Sequence, residues 1–185
     1  MTNLQKQKHR YLRLLAEKYP TKESVYSNLI HLQASLSLPK GVEHFLSDLH
    51  GEYELFYHIF NNCSGVLKEK VDYVFGARLT DEEKAEFCTL IYYPKEKIQQ
   101  VVEERANTPD WYRENLARLL EVTKLMSYKY PLAKVRSFIP KSYRTVITEL
   151  LNTHPEADHA QFIYHKRLLN MIVQVDGASD FIIAL

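Results

Sequence analysis

Val42 to Ser47 is the one convincing strand in a chain whose other apolar residues fall at helical spacing. A lone strand leaves its backbone N–H and C=O groups without ladder partners, and even a two-stranded hairpin is marginal in water. The run is therefore either part of a helical domain and no strand at all, or it pairs with strands that this chain does not supply. The closing residues favour the second reading. Phe181-Ile182-Ile183-Ala184-Leu185 is apolar, with no cap and no polar tail, as expected where an N-terminal piece of a longer polypeptide stops. The expected fold class is mainly α: a multi-helix segment with one β-strand at about 42–47 that belongs to an incomplete α/β core.

Helical signals fill the rest. Leu4, Tyr11, Leu12, Leu14 and Leu15 mark a first amphipathic helix ended by Pro20, and Val25, Leu29, Leu32 and Leu36 mark a second. Leu55, Phe56, Ile59 and Phe60 mark a third, running into Asn61-Asn62-Cys63-Ser64-Gly65. Val66 to Phe75 should close on Gly76, and Thr80 with Glu83 forms a capping box that opens a helix toward Tyr92. Pro94 starts the next, and Thr108-Pro109 sets an N-cap before an N1 proline for a longer helix to about Tyr128. Pro131, Pro140 and Pro155 punctuate shorter helices, Phe162, Leu168, Leu169, Ile172 and Val173 supply another apolar face, and Ser179 is the expected cap of a last helix. Trp111, with Leu116, Leu119 and Leu120, is expected in the helical core. Neither solenoid repeats nor low-complexity segments occur.

The 185 residues, 45% of them apolar, suffice for a sizeable core. A net charge of +1 gives no global field to demand nucleic acid or an anionic membrane as partner, and neither is expected. No stretch approaches the roughly 18 consecutive apolar residues of a membrane span, and the Lys-rich opening lacks the apolar centre of a signal peptide. The expected compartment is the cytoplasm. Cys63 and Cys88 lack Cys-x-x-Cys spacing and read as two reduced, partly buried thiols.

Chemistry concentrates just after the expected strand, in Ser47-Asp48-Leu49-His50-Gly51-Glu52. Side chains at i and i+2 of an extended segment point the same way, so Asp48 and His50 can converge on one metal ion. A hard carboxylate beside a borderline imidazole suits Mn, Fe or Zn better than Ca or Mg. Gly51 allows a tight backbone turn beside such an ion. Glu52 and Glu54 read as exposed carboxylates at a helix start, and His44 as a strand or loop residue.

The block resembles the first signature of the calcineurin-like metallophosphatases, Asp-x-His. The wider text is more specific. Leu14-Leu15-Ala16-Glu17-Lys18-Tyr19-Pro20, Leu38-Pro39-Lys40-Gly41, Glu43 to Glu54, Thr89-Leu90-Ile91-Tyr92-Tyr93-Pro94 and Asp180 to Leu185 are similar to the class III fructose-1,6-bisphosphatases of bacteria. The resemblance covers essentially the whole chain. It implies a two-metal phosphomonoesterase, Mn-dependent, that hydrolyses the 1-phosphate of fructose 1,6-bisphosphate in gluconeogenesis, with a metal-bridging hydroxide attacking phosphorus. It also implies Asp48 and His50 as metal ligands and assigns no catalytic residue here. The later Gly-Asp-x-x-Asp-Arg-Gly and Gly-Asn-His blocks have no counterpart, so the chain by itself is expected to be inactive. The implied organisation is residues 1–65 as N-terminal helices plus the first strand and metal block of the metallophosphatase core, then 66–185 as a helical insertion. Two alternatives remain open: a metallophosphatase acting on another phosphoester, and a non-catalytic helical interaction module. The helices also offer surfaces for a homo-oligomer.

Two further clusters read as ordinary surface. His154, His159 and His165 are spaced by five and six, which does not place them on one helical face. Tyr128, Lys129, Tyr130, Lys134, Arg136, Lys141, Tyr143 and Arg144 interleave bases with aromatics, but near-neutral net charge and flanking prolines favour a solvated face.

Overall fold

The computed structural model describes residues 3–38, 43, 45–62 and 65–185, and every regular element among them is helical. Contacts divide the chain into Met1–Val42 and Glu43–Leu185.

The first unit holds α1 (Asn3–Lys18) and α2 (Lys22–Ser35). Pro20 separates them, and Thr21 starts α2 with a reciprocal cap. Its hydroxyl accepts from the Ser24 N–H at 3.2 Å while its own N–H donates to the Ser24 hydroxyl at 3.3 Å. Neither helix buries a residue.

The second unit runs α3 (Tyr53–Asn62), α4 (Val66–Phe75), α5 (Asp81–Tyr92), α6 (Pro94–Glu103), α7 (Pro109–Ser127), α8 (Leu132–Phe138), α9 (Arg144–Asn152), α10 (His159–Gln174) and α11 (Ala178–Ala184). The sequence punctuation acts where it was expected. Gly76 ends α4 with a φ of 48°, a conformation that other residues resist. Thr80 and Glu83 exchange hydrogen bonds of 3.2 and 2.8 Å at the start of α5, and Thr108 caps α7 by accepting from the Trp111 N–H at 3.1 Å.

The longest helix is also the centre. Leu116, Leu119, Leu120 and Val122 of α7 are buried, and α7 packs against α4, α9, α10 and α11. These bring Val71 and Phe75, Ile147 and Leu150, Leu169 and Ile172, and Phe181 and Ile182 into the same core. Fully burying side chains of this kind is worth roughly 1.5–3 kcal/mol each. Phe75 and Phe87 meet edge to face with centroids 5.5 Å apart. Trp111 lies half-buried against this core.

Three expectations need correction. Glu43 and Phe45–Ser47 form no strand: no ladder partner exists among the described residues, and Phe45 is 90% exposed. Val42 and His44 of the same run lie outside the described residues. Ser179 does not cap α11, because Gly177 occupies that position; the Ser179 hydroxyl instead hydrogen-bonds the Tyr112 hydroxyl at 2.9 Å. The closing apolar run also finds burial within the chain, since Phe181 and Ile182 pack in the core with α7.

Candidate functional site

Asp48, His50 and Gly51 all adopt positive φ, at 30°, 47° and 79°. Asp and His tolerate the left-handed region better than bulky residues do, and glycine enters it without steric cost. The Glu52 N–H donates to the Leu49 carbonyl and the Tyr53 N–H to the Gly51 carbonyl, each at 2.9 Å, and α3 starts at Tyr53. The two ligand candidates thus meet through a tight turn, not through the pleat of a strand. His50 Nε2 lies 3.9 Å from Asp48 Oδ2, and the side chains are 80% and 83% exposed. Two metal–ligand bonds of about 2.1 Å can meet across that gap.

The donor chemistry suits a transition-metal ion, but the donor count does not complete one. Metal centres built from such ligands take four or more donors. Among the described residues no group of three or more His, Cys, Asp and Glu side chains could hold an ion. A two-metal centre therefore does not fit on these residues alone. Glu52 and Glu54 are exposed, as expected of a helix start.

The helix that leaves the turn carries a polar cluster that periodicity did not reveal. His58 and Asn62, one turn apart on α3, both reach the Tyr93 hydroxyl at the start of α6. Asn62 Nδ2 donates to it at 3.0 Å, and the hydroxyl is bonded to His58 Nδ1. The His58 and Tyr93 rings stack 11° from parallel. Beside them opens a cavity of about 600 Å³ that reaches Lys68, Lys84, Cys88 and Thr89. Burial opposes the charge of Lys84, but ion pairs at 3.3 Å to both Asp72 and Asp81 outweigh it and hold its pKa above the ordinary lysine value. Burial, with Asp72 nearby, pushes the Cys88 thiol up, so it is an inert core residue. Cys63 lies outside the described residues. The signal in the sequence was the i, i+4 pair of His58 and Asn62; its partner stands 31 residues further on.

The three later histidines separate. His154 is exposed beside Glu156 at 3.2 Å, and His159 stacks on Phe162. His165 sits at the core edge, its Nδ1 2.7 Å from the Thr153 hydroxyl.

The Firmicute fructose-1,6-bisphosphatase family matches residues 10–185, a stretch that includes both Asp48 and His50. The chain belongs to this family. A class 3 fructose-1,6-bisphosphatase of Clostridium beijerinckii is 44% identical over 176 residues, which are 95% of this chain and 26% of that relative. Its counterpart in Clostridium acetobutylicum is 45% identical over the same shares, and that of Clostridium botulinum is 44% identical. The chain thus spans about a quarter of the length of these fructose-1,6-bisphosphatases. No solved structure matches it. No helix among the described residues is long and apolar enough to cross a membrane.

Proposed function

We propose that this chain works as part of a class 3 fructose-1,6-bisphosphatase, a phosphoric monoester hydrolase that removes the 1-phosphate of fructose 1,6-bisphosphate. The observation that carries this reading is identity of 44–45% sustained through 95% of the chain, with each relative named for that activity. Asp48 and His50 supply one corner of a manganese site, and the remaining donors come from residues outside this chain. The reach of 3.9 Å between their donor atoms and the lack of a third donor among the described residues support that division. Residues 42–47 take up strand conformation once sheet partners of a metallophosphatase core are present, and residues 66–185 form a helical insertion beside that core. The setting is sugar metabolism in the cytoplasm, with helix faces available for a homo-oligomer.

The test is phosphate release from fructose 1,6-bisphosphate, with added Mn, by the intact protein and by Asp48→Asn. Asp48 is 83% exposed, so the substitution leaves folding stability within about 0.5 kcal/mol. Activity is expected to fall at least about 100-fold, in line with removal of a metal ligand rather than of its outer partners. Unchanged activity in Asp48→Asn removes the site reading. Hydrolysis of other phosphoesters but not of this bisphosphate removes the substrate reading. Tight Mn binding and turnover by residues 1–185 alone removes the shared-site reading.

A further inference from the structure

Between Glu121 and Glu149 the sequence has six bases, Lys124, Lys129, Lys134, Arg136, Lys141 and Arg144, and no acid, in a chain whose net charge is only +1. The fold sorts these bases. Lys124 turns inward to the Thr153 carbonyl, and Arg144 donates to the Ile139 carbonyl. Lys129, Lys134, Arg136 and Lys141 stay exposed, and none forms an ion pair with a described residue. Lys129 and Lys134 instead flank the Tyr130 ring, their Nζ atoms 5.2 and 4.7 Å from its centroid.

The structure then adds what the linear pattern lacked. The end of α7 meets α4, so Lys70 and Tyr73 line a groove of about 480 Å³ together with Tyr128 and Lys129. Tyr73 is 77% exposed and Tyr128 79% exposed, so both rings offer open faces. The nearby acids are largely engaged: Asp72 pairs with Lys84 and Glu121 with Arg78, which leaves Glu69 as the exposed carboxylate next to Lys70 in sequence.

We infer that this groove, extended by Lys134 beside Tyr130, binds single-stranded nucleic acid. Lysines without counter-ions track a phosphate chain, and exposed tyrosines stack unpaired bases. A duplex keeps its base faces covered, and an acidic peptide would use the lysines and leave both rings idle. Lys70, Lys129 and Lys134 lie on α4, the turn after α7 and α8, so the cations are spread along the groove and its edge rather than gathered around one phosphate.

The test uses the intact protein and fluorescein-labelled ten-residue oligo(U) and oligo(dT), followed by anisotropy. With about three phosphates neutralised, affinity should fall about 20-fold between 50 and 200 mM KCl. Tyr128→Ala should weaken binding about tenfold by removing one stacking face. Lys129→Glu combined with Lys134→Glu should weaken it further and flatten the salt dependence. Circular dichroism checks the fold of each variant, and Tyr73→Ala replaces Tyr128→Ala if the latter unfolds. Oligonucleotide affinity insensitive to salt, wild-type affinity in both folded tyrosine variants, or displacement by adenosine monophosphate or poly-glutamate at equal phosphate or carboxylate concentration each overturns the inference. Preference for oligo(U) over oligo(dT) assigns the ligand as RNA, and equal affinity supports either strand.

Discussion

Thr153→Val should destabilise the protein by about 2 kcal/mol, with a pH signature that separates the effect from simple loss of packing. Thr153 follows α9 and is 4% exposed. Its hydroxyl proton goes to the Leu150 carbonyl at 2.8 Å, so the 2.7 Å bond to His165 must run from the imidazole Nδ1–H to the hydroxyl oxygen. Valine preserves the shape and removes both bonds, each worth about 1 kcal/mol net, and leaves the half-buried Nδ1–H without its partner. For a chain of this size, 2 kcal/mol corresponds to about 4–8 °C in Tm. The same network sets a pH dependence. Burial, reinforced by the neighbouring Lys124 charge, holds His165 below its ordinary value. As pH falls below about 6.5 the unfolded chain protonates first, so stability present above that pH is progressively lost as pH drops through the depressed folded value. Thermal unfolding followed by circular dichroism at pH 7.5 and at steps down to pH 5 reads both effects. His165→Gln should flatten the profile between pH 6.5 and 5. Glu156, held low by hydrogen bonds from its own backbone and from His154, contributes a loss of the same sign only below the usual carboxylate range. A Tm change under about 1 °C in Thr153→Val at pH 7.5, or the same acid slope in His165→Gln as in wild type, would refute the reasoning.

Leu116 is fully buried at the centre of α7; Leu116→Ala should cost about 3 kcal/mol in urea unfolding, and a loss below about 1 kcal/mol would show that α7 is not the centre of the core. Thr148 carries a buried hydroxyl without a hydrogen-bond partner among the described residues. Thr148→Val should therefore leave stability unchanged or raise it by up to about 1 kcal/mol in the same assay, and a clear loss would reveal a partner for that hydroxyl.

Helix boundaries were the most legible part of the sequence because their causes are local. A capping box at Thr80–Glu83, a proline at Pro94 and a glycine at Gly76 act within one turn of where they are written. The run around Phe45 carries strand-forming side chains, but strand formation is not local: β-branched and aromatic residues form a strand only when a neighbour supplies the other half of each hydrogen bond, and none does so among the described residues. Ser179 was misread for a related reason, since its hydroxyl is claimed by Tyr112, 67 residues away. At the candidate site the Asp48 and His50 pairing was readable from spacing, although its geometry comes from left-handed turn residues and not from an extended pleat. The link from Asn62 and His58 to Tyr93 was invisible, because a helix pattern shows which residues share a face but not what lies opposite.

The central place of α7 also bears on how the protein is made. Its core-facing leucines leave the ribosome before α9, α10 and α11, the helices that cover them. The last of these helices ends 57 residues after α7, so at roughly 5–20 residues per second the nascent chain holds an incomplete core for about 3–11 s. Only α4 is available to shield α7 at the outset among its main packing partners. Slowing translation across α8 to α10 would lengthen that vulnerable interval, whereas faster synthesis would shorten it, so codon usage over this stretch should influence soluble yield without altering a single contact in the finished fold.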